Sequence, residues 1–248
     1  MPTAPRPTVD DAEIAKFAAL AHAWWDPNGA YRPLHKLNPA RLLFLRDALA
    51  AHFGCDTKAA RPLAGLRLVD IGCGGGILSE PLCRLGAEVI GIDAATENVA
   101  AAESHARELG LDVRYRAITA EELAAEGASF DAAISMEVIE HVADLGAFLA
   151  AASALVRPGG AMALATLNRT LKSLALGVVA AEYVLGWLPR GTHDWKRFVR
   201  PSELARHLRA NGLAPKTLAG VGYNPISDTW AITPDLGVNY MVFATKSA

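Results

Sequence analysis

The chain has 248 residues, of which 52% are hydrophobic, and this is enough for one large α/β domain with a substantial core. No apolar run reaches the roughly 18 residues that a membrane-spanning helix needs. The formal net charge of −2 gives no reason to expect nucleic acid as a partner, and the three cysteines lack the spacing of metal ligands. Residues 1–10 contain no apolar segment typical of a secretory signal, so a cytoplasmic location is expected.

The segment before the first predicted strand is rich in helical patterns. Residues 1–64 are expected to form a helical cap on residues 65–248, and the two parts to make effectively one domain. A helix is predicted from Asp10 or Asp11 to about Trp25. A second is predicted over 39–53, because Asn-Pro is typical of a helix start.

A strand, a glycine turn, a helix and a second strand follow. Leu68–Ile71 is a short apolar run, interrupted only by Asp70, that is typical of a buried parallel strand. The glycines at 72, 74, 75 and 76 allow a close approach of the backbone to a ligand. The next strand ends in Asp93, about twenty residues after the first glycine, which is the spacing of an acid that accepts hydrogen bonds from ribose hydroxyls. Ile77 stands where a dinucleotide-binding turn has its third glycine, so a nicotinamide cofactor is disfavoured.

The glycine turn also carries a first family resemblance. The pattern Asp70-x-Gly72-x-Gly74-x-Gly76 resembles the glycine motif of class I methyltransferases, which bind S-adenosylmethionine. This resemblance implies an α/β, Rossmann-like, doubly wound sheet of seven strands, with Gly72, Gly74 and Asp93 in the cofactor site.

The remaining chain continues the alternation of strands and helices. This alternation predicts a parallel sheet, with the last two strands as an antiparallel pair at one edge. The predicted helices cover 95–109, 148–155 and 201–211, and the further strands cover 112–117, 130–135, 161–167, 214–220 and 239–246.

An insertion of about 168–200 follows the fifth predicted strand and is too long for a simple connection. Residues 174–188 are apolar apart from one glutamate and one tyrosine, and basic residues flank them at positions 169, 172, 190, 196, 197 and 200. An apolar helix with basic flanks is suited to the headgroup region of a membrane, so 172–188 is predicted to contact a membrane surface. A lid packed on the domain is the other interpretation, and the two are compatible.

Candidate catalytic groups follow the fourth predicted strand, at the carboxyl edge where ligands bind in such sheets. Glu137, Glu140 and His141 have the spacing i, i+3 and i+4, so on a helical turn they would share a face. Two carboxylates and an imidazole suit Mg²⁺ or another hard divalent cation. The alternative is a structural histidine with no metal nearby.

Several further motifs narrow the resemblance. Asp70–Leu78, Met136–Val142 and Thr166–Thr170 occur in the order found in the bacterial ubiquinone biosynthesis O-methyltransferases, followed by Gly191–Asp194 and Tyr223–Ile226. This resemblance implies O-methylation of polyprenylated catechols at two steps of the pathway. It also implies peripheral association with the inner face of the cytoplasmic membrane, and other enzymes of the pathway as further partners.

The same resemblance suggests roles for single residues. Arg41 would meet the methionine carboxylate, Asp93 would hold the ribose, and Gly72 and Met136 would lie beside the methionyl-ribose part and the adenosine. Glu137, Glu140 and His141 match the family's divalent-ion motif, with Glu140 and His141 as catalytic candidates. His193 is either a base or an anchor of the lid. Alternative functions are methylation of another lipid or phenol, and a non-catalytic cofactor-binding subunit of a membrane complex.

Overall fold

A computed structural model describes residues 8–26, 28–178 and 194–248 of the chain. The helices are α1 Asp11–Ala19, α2 Arg32–Phe53, α3 Ser79–Arg84, α4 Thr96–Glu108, α5 Ala120–Ala125, α6 Leu145–Ala154, α7 Leu171–Ser173 and α8 Pro201–Ala210. The strands are β1 Arg67–Ile71, β2 Glu88–Asp93, β3 Val113–Ala117, β4 Phe130–Met136, β5 Val156–Leu167, β6 Leu213–Asn224, β7 Thr229–Thr233 and β8 Asn239–Lys246. The alternation predicted from the sequence is therefore present.

The described strands form one sheet in the order β3-β2-β1-β4-β5-β8-β6-β7. The strands β1 to β5 run parallel, whereas β8 pairs antiparallel with β5 and β6, and β7 with β6. The direction of winding reverses between β1 and β4, so a crevice opens beyond the carboxyl ends of these two strands. The doubly wound α/β class is confirmed, and the crevice is where the predicted site residues begin.

Alternate residues of the central strands are buried on opposite faces of the sheet. Leu68 of β1 packs in a core with α2 and α3, whereas its neighbour Val69 packs in a second core with α6 and α8. Both residues have no exposed surface. Parallel strands that are covered on both faces have nearly continuous apolar sequences. This is why β1 could be predicted from the sequence.

The second helix begins earlier than its sequence indicated. It starts at Arg32, with Pro33 in its first turn, and Pro39 lies inside it. Pro33 is the residue that fits the helix start, since a first-turn proline lacks a donor that would be unsatisfied in any case. Trp24 and Trp25 lie after α1, which ends at Ala19 rather than near Trp25.

Eight strands, rather than the expected seven, are present in the described ranges. Residues 229–233 form β7, because β6 continues to Asn224 and the chain then turns back through a short loop to pair with it. The fifth strand, predicted over 161–167, begins at Val156, so it also includes residues 156–160. β7 is set by its pairing with β6 rather than by a local apolar pattern.

In the part of the chain that the structure describes, no helix combines the length and the apolar character needed to cross a membrane.

Candidate active site

The glycine turn after β1 has a backbone that only glycine accommodates. Gly72 and Gly74 have φ angles of 74° and 53°. A Cβ atom on Gly72 would lie 2.4 Å from Cγ2 of Val138, and one on Gly74 would lie 2.4 Å from Cζ2 of Trp24. The turn therefore needs glycine for both its conformation and its close contacts. Both glycines line a large cavity at the carboxyl edge of the sheet.

Asp93, at the end of β2, is held by three donors. Its Oδ2 accepts a hydrogen bond from the backbone N–H of Gly74 at 2.9 Å. Its Oδ1 accepts from the N–H of Ala95 at 2.9 Å and from Nδ2 of Asn98 at 3.2 Å. Since an ionised carboxylate offers about four acceptor positions, Asp93 retains capacity toward the cavity. Burial raises the pKa of its carboxyl group.

The five residues predicted to bind the cofactor all line the same cavity, which has a volume of about 750 Å³. This volume lies in the range typical of small-molecule sites. The residues are Arg41, Gly72, Gly74, Asp93 and Met136. A carboxylate can accept hydrogen bonds from a ribose, a guanidinium can pair with a carboxylate, and a turn without Cβ atoms allows a close approach, so the residues present fit S-adenosylmethionine.

Arg41 projects from α2 and is 6% exposed. Its Nη2 donates a hydrogen bond to Oε1 of Glu137 at 2.8 Å. The guanidinium has five N–H donors, so this contact leaves others for a second anionic group. Arg41 thus joins the N-terminal cap to the turn after β4.

Asp70 lies below the glycine turn and accepts a hydrogen bond from Oγ of Ser79 at 2.6 Å. Burial raises the pKa of its carboxyl group to about 6, and the nearby Asp93 adds to the rise. Because the folded protein binds this proton more tightly than the unfolded chain does, the free energy of unfolding should fall as pH rises from about 4 to about 6.

We expect Asp70→Asn to remove this dependence, since an amide does not titrate. The variant minus wild-type difference in unfolding free energy should rise by about 2 kcal/mol between pH 4 and pH 7. Urea unfolding across this range measures it. A difference that stays constant with pH would show that Asp70 titrates normally, and Ser104→Ala on the exposed face of α4 serves as a control.

The turn after β4 does not have the helical geometry expected from its spacing. Glu137 has a φ of 57°, and residues 137–141 form a turn, not a helix. Oε2 of Glu140 accepts a hydrogen bond from Oγ1 of Thr166 at 2.8 Å in the core, whereas Nδ1 of His141 donates to Oε2 of Glu13 at 2.8 Å. The three side chains therefore do not share one helical face.

The described arrangement does not fit a cation site made by Glu137, Glu140 and His141. Among residues 8–26, 28–178 and 194–248, no three His, Cys, Asp or Glu side chains are grouped so that they could hold a metal ion. Glu137 pairs with Arg41 and His141 with Glu13, while Glu140 is 3% exposed. Burial, followed by the nearby Glu137, raises the pKa of the Glu140 carboxyl group well above its usual range.

The N-terminal segment supplies cavity residues that the sequence did not single out. Glu13 and Phe17 of α1 contact His141, and the indole of Trp24 covers the glycine turn. Asn98 of α4 joins Trp24 to Asp93. No periodic pattern marks Glu13, Trp24 or Asn98. In the sequence, only the adjacent tryptophans at positions 24 and 25 stand out locally.

The predicted membrane segment is only partly described. Residues 179–193, which include Val179, Leu185, Trp187 and His193, lie outside the described residues. Three of the flanking basic side chains pair with acidic ones rather than standing free for headgroups: Arg169 with Glu203, Lys172 with Asp235, and Arg197 with Asp10.

Solved structures share this fold. The chain is similar to the magnesium protoporphyrin IX methyltransferase of Synechocystis PCC 6803 with bound S-adenosylhomocysteine. The TM-score is 0.64, with 20% identity over 94% of this chain and 95% of the other. It is also similar to the 1,6-didemethyltoxoflavin-N1-methyltransferase of Burkholderia thailandensis, with a TM-score of 0.60 and 19% identity over 99% of this chain and 93% of that one.

Sequence comparison is more specific. A methyltransferase domain family matches residues 69–164. The ubiquinone biosynthesis O-methyltransferase of Chelativorans sp. (strain BNC1) is 54% identical over 99% of this chain and 97% of its own length. The enzyme of the same name from Paramagnetospirillum magneticum is 56% identical over 96% of each. Such identity along nearly the whole chain, together with a cavity that fits S-adenosylmethionine, shows that the chain belongs to the ubiquinone biosynthesis O-methyltransferases and is an S-adenosylmethionine-dependent enzyme.

Proposed function

We propose that the enzyme methylates phenolic hydroxyls of polyprenylated catechol intermediates, at both O-methylation steps of ubiquinone biosynthesis. The observation that supports this most is the continuity of the cavity. Arg41 and Asp93 line it together with apolar side chains, among them Leu176, Val221 and Trp230. The same cavity therefore has polar side chains that suit the cofactor and apolar side chains that suit a phenol with an apolar tail.

The residues of the cavity suggest how the reactants are held. S-adenosylmethionine supplies an electrophilic sulfonium methyl group. Arg41 would hold its carboxylate, Asp93 its ribose, and Met136, which is 9% exposed, its adenosine. Fixing both reactants in line supplies much of the rate enhancement of a two-substrate transfer.

The phenol must also lose its proton, because its free pKa is about 10. His141 lines the cavity, and its hydrogen bond to Glu13 orients the ring, so we assign it the role of general base. Glu140 is not among the described residues that line the cavity. Its hydrogen bond to Thr166 supports the turn that carries His141, and we assign it a positioning role.

The test is a methyl-transfer assay with labelled S-adenosylmethionine and two short-tailed catechols that represent the two steps. We expect label in both products, and none with the corresponding dimethoxy compounds. Transfer to only one catechol would contradict the two-step proposal. Cofactor binding without transfer to either would favour a non-catalytic binding subunit, and transfer to an unrelated phenol at equal efficiency would favour another substrate class.

A divalent cation at Glu137, Glu140 and His141 stays a prediction that the described contacts do not support. Since Arg41 already neutralises Glu137, we expect exhaustive chelation to leave the affinity for S-adenosylhomocysteine unchanged within about twofold. Calorimetric titration with and without chelator measures this. Methyl transfer that is lost on chelation and restored by Mg²⁺ would show instead that the reaction requires a divalent cation.

Membrane association at the inner face of the cytoplasmic membrane is also proposed, because a polyprenylated substrate stays in the bilayer. Leu171 is 78% exposed and Ile226 is 96% exposed. Their neighbours Lys172 and Pro225 line the cavity, so exposed apolar side chains lie beside it. An apolar surface at this point is suited to contact the lipid that holds the substrate.

We expect Leu171→Glu/Ile226→Glu to lower the fraction of protein that sediments with liposomes on the order of tenfold or more, because two apolar side chains no longer enter the lipid. A control variant, Leu109→Glu, changes a residue that is 46% exposed and does not line the cavity. An equal loss in the control, or none in the double variant, would contradict the proposed surface.

A further inference from the structure

Asn98 is a buried polar residue that lies outside every motif used so far. It is 2% exposed. Its Oδ1 accepts a hydrogen bond from Nε1 of Trp24 at 2.8 Å, and its Nδ2 donates one to Oδ1 of Asp93 at 3.2 Å. An indole N–H only donates and a carboxylate only accepts, so one orientation of the amide satisfies both partners.

Trp24 is itself held by two sets of contacts. Its ring stacks on Tyr31, with centroids 3.6 Å apart and planes 2° from parallel. It also lies so close to the glycine turn that a Cβ atom on Gly75 would be 2.3 Å from its Cγ. The direction of its N–H is therefore set by packing, and the Asn98 amide receives a fixed donor.

We propose that Asn98 and Trp24 are positioning residues for the cofactor. The hydrogen-bond chain Trp24–Asn98–Asp93 adds a side-chain restraint on the rotation of the Asp93 carboxylate to those of the Gly74 and Ala95 N–H groups, so that its remaining acceptor capacity faces the ribose hydroxyls. The inference rests on the ribose role proposed for Asp93. It adds that the N-terminal segment, through one indole N–H, controls how that acid recognises the cofactor.

Loss of the Asn98 amide should affect the contacts of Asp93 with the ribose hydroxyls and not the rest of the cofactor site. Asp93 keeps its backbone donors, Gly74 and Ala95, when the amide of Asn98 is removed. The carboxylate then has greater rotational freedom, and the contacts that suffer are those to the ribose hydroxyls. Recognition of the parts of the cofactor that do not touch Asp93 should change little.

The test measures the affinity for S-adenosylhomocysteine and for its 2′-deoxy and 3′-deoxy analogues by calorimetry. In the wild type, the loss of a hydroxyl that meets a charged acceptor should weaken binding about tenfold or more. In Asn98→Leu, the ratio of the dissociation constants of the deoxy analogue and of S-adenosylhomocysteine should fall to about threefold or less, because the Asp93 carboxylate is no longer aligned with the hydroxyl. Trp24→Phe keeps an aromatic ring but replaces the indole, and so removes the N–H, and it should lower the ratio in the same direction even if Asn98→Leu does not fold.

Trp25→Phe is the matched comparison. The indole of Trp25 donates to the carbonyl oxygen of Gly75 at 2.8 Å and stacks on His105, away from the Asp93 chain. In Trp25→Phe, the same ratio of dissociation constants should equal that of the wild type. Unchanged ratios in Asn98→Leu and Trp24→Phe would contradict the positioning role of these two residues but leave the ribose role of Asp93 intact. An equal fall of the ratio in Trp25→Phe would contradict the positioning role in the same way. A wild type that does not distinguish the deoxy analogues would overturn the ribose role of Asp93 as well.

Discussion

Replacing Asp93 by alanine should weaken the binding of S-adenosylhomocysteine about 10- to 100-fold, measured by calorimetric titration of the folded variant. The ribose would lose a charged acceptor. The N–H groups of Gly74 and Ala95 would lose their side-chain partner as well, so the glycine turn would no longer be held in place. One hydrogen bond to a charged group contributes about 1.5–3 kcal/mol, and the net loss of one such bond sets the range.

Two further variants make the result specific. Asp112→Ala removes an exposed aspartate that does not line the cavity, and it should bind the cofactor as the wild type does. Asp93→Asn keeps the shape but not the charge, and it should also bind weakly. Unchanged affinity in a folded Asp93→Ala protein would remove Asp93 from the site.

Arg41→Met should lower both stability and affinity. Loss of the guanidinium leaves Glu137, whose side chain is 21% exposed, without its cation. The free energy of unfolding should fall on the order of 3 kcal/mol. If Arg41 also meets the methionine carboxylate, S-adenosylhomocysteine should bind about tenfold more weakly. Urea unfolding and calorimetry measure the two effects.

A ligand that lacks the amino-acid part separates binding from stability. 5′-Methylthioadenosine has no carboxylate, so Arg41→Met should bind it as the wild type does. Arg41→Met/Glu137→Gln should recover part of the stability, because no unpaired charge remains, but should recover none of the affinity for S-adenosylhomocysteine. Equal weakening of both ligands would mean that Arg41 acts only through the fold.

Much of the cofactor-binding part of the site could be predicted from the sequence, because short local sequence patterns specify it. Leu68, Val69 and Ile71 of β1 are apolar because both faces of the sheet are covered. The turn must contain glycine where φ is positive, and Asp93 ends the next strand at a distance along the chain that the fold sets. A family resemblance then added Arg41 and Met136, which carry no local signal of their own.

The chemistry of the turn after β4 was decided only in three dimensions. A spacing of i, i+3 and i+4 brings side chains together on a helix, but the left-handed backbone at Glu137 interrupts that geometry. Arg41 then pairs with Glu137, Glu13 pairs with His141, and the carboxyl of Glu140 turns into the core toward Thr166.

The sequence by itself determined the doubly wound sheet, the glycine turn and the acid at the end of β2, because local periodicity and backbone sterics specify them. The tertiary structure decided which groups face one another across the cavity. Glu13, Trp24 and Arg41 reach it from the N-terminal cap, far along the chain from His141, Asn98 and Glu137, which they contact. Such contacts depend on how the cap packs on the sheet, and no pattern within one helix or strand encodes them.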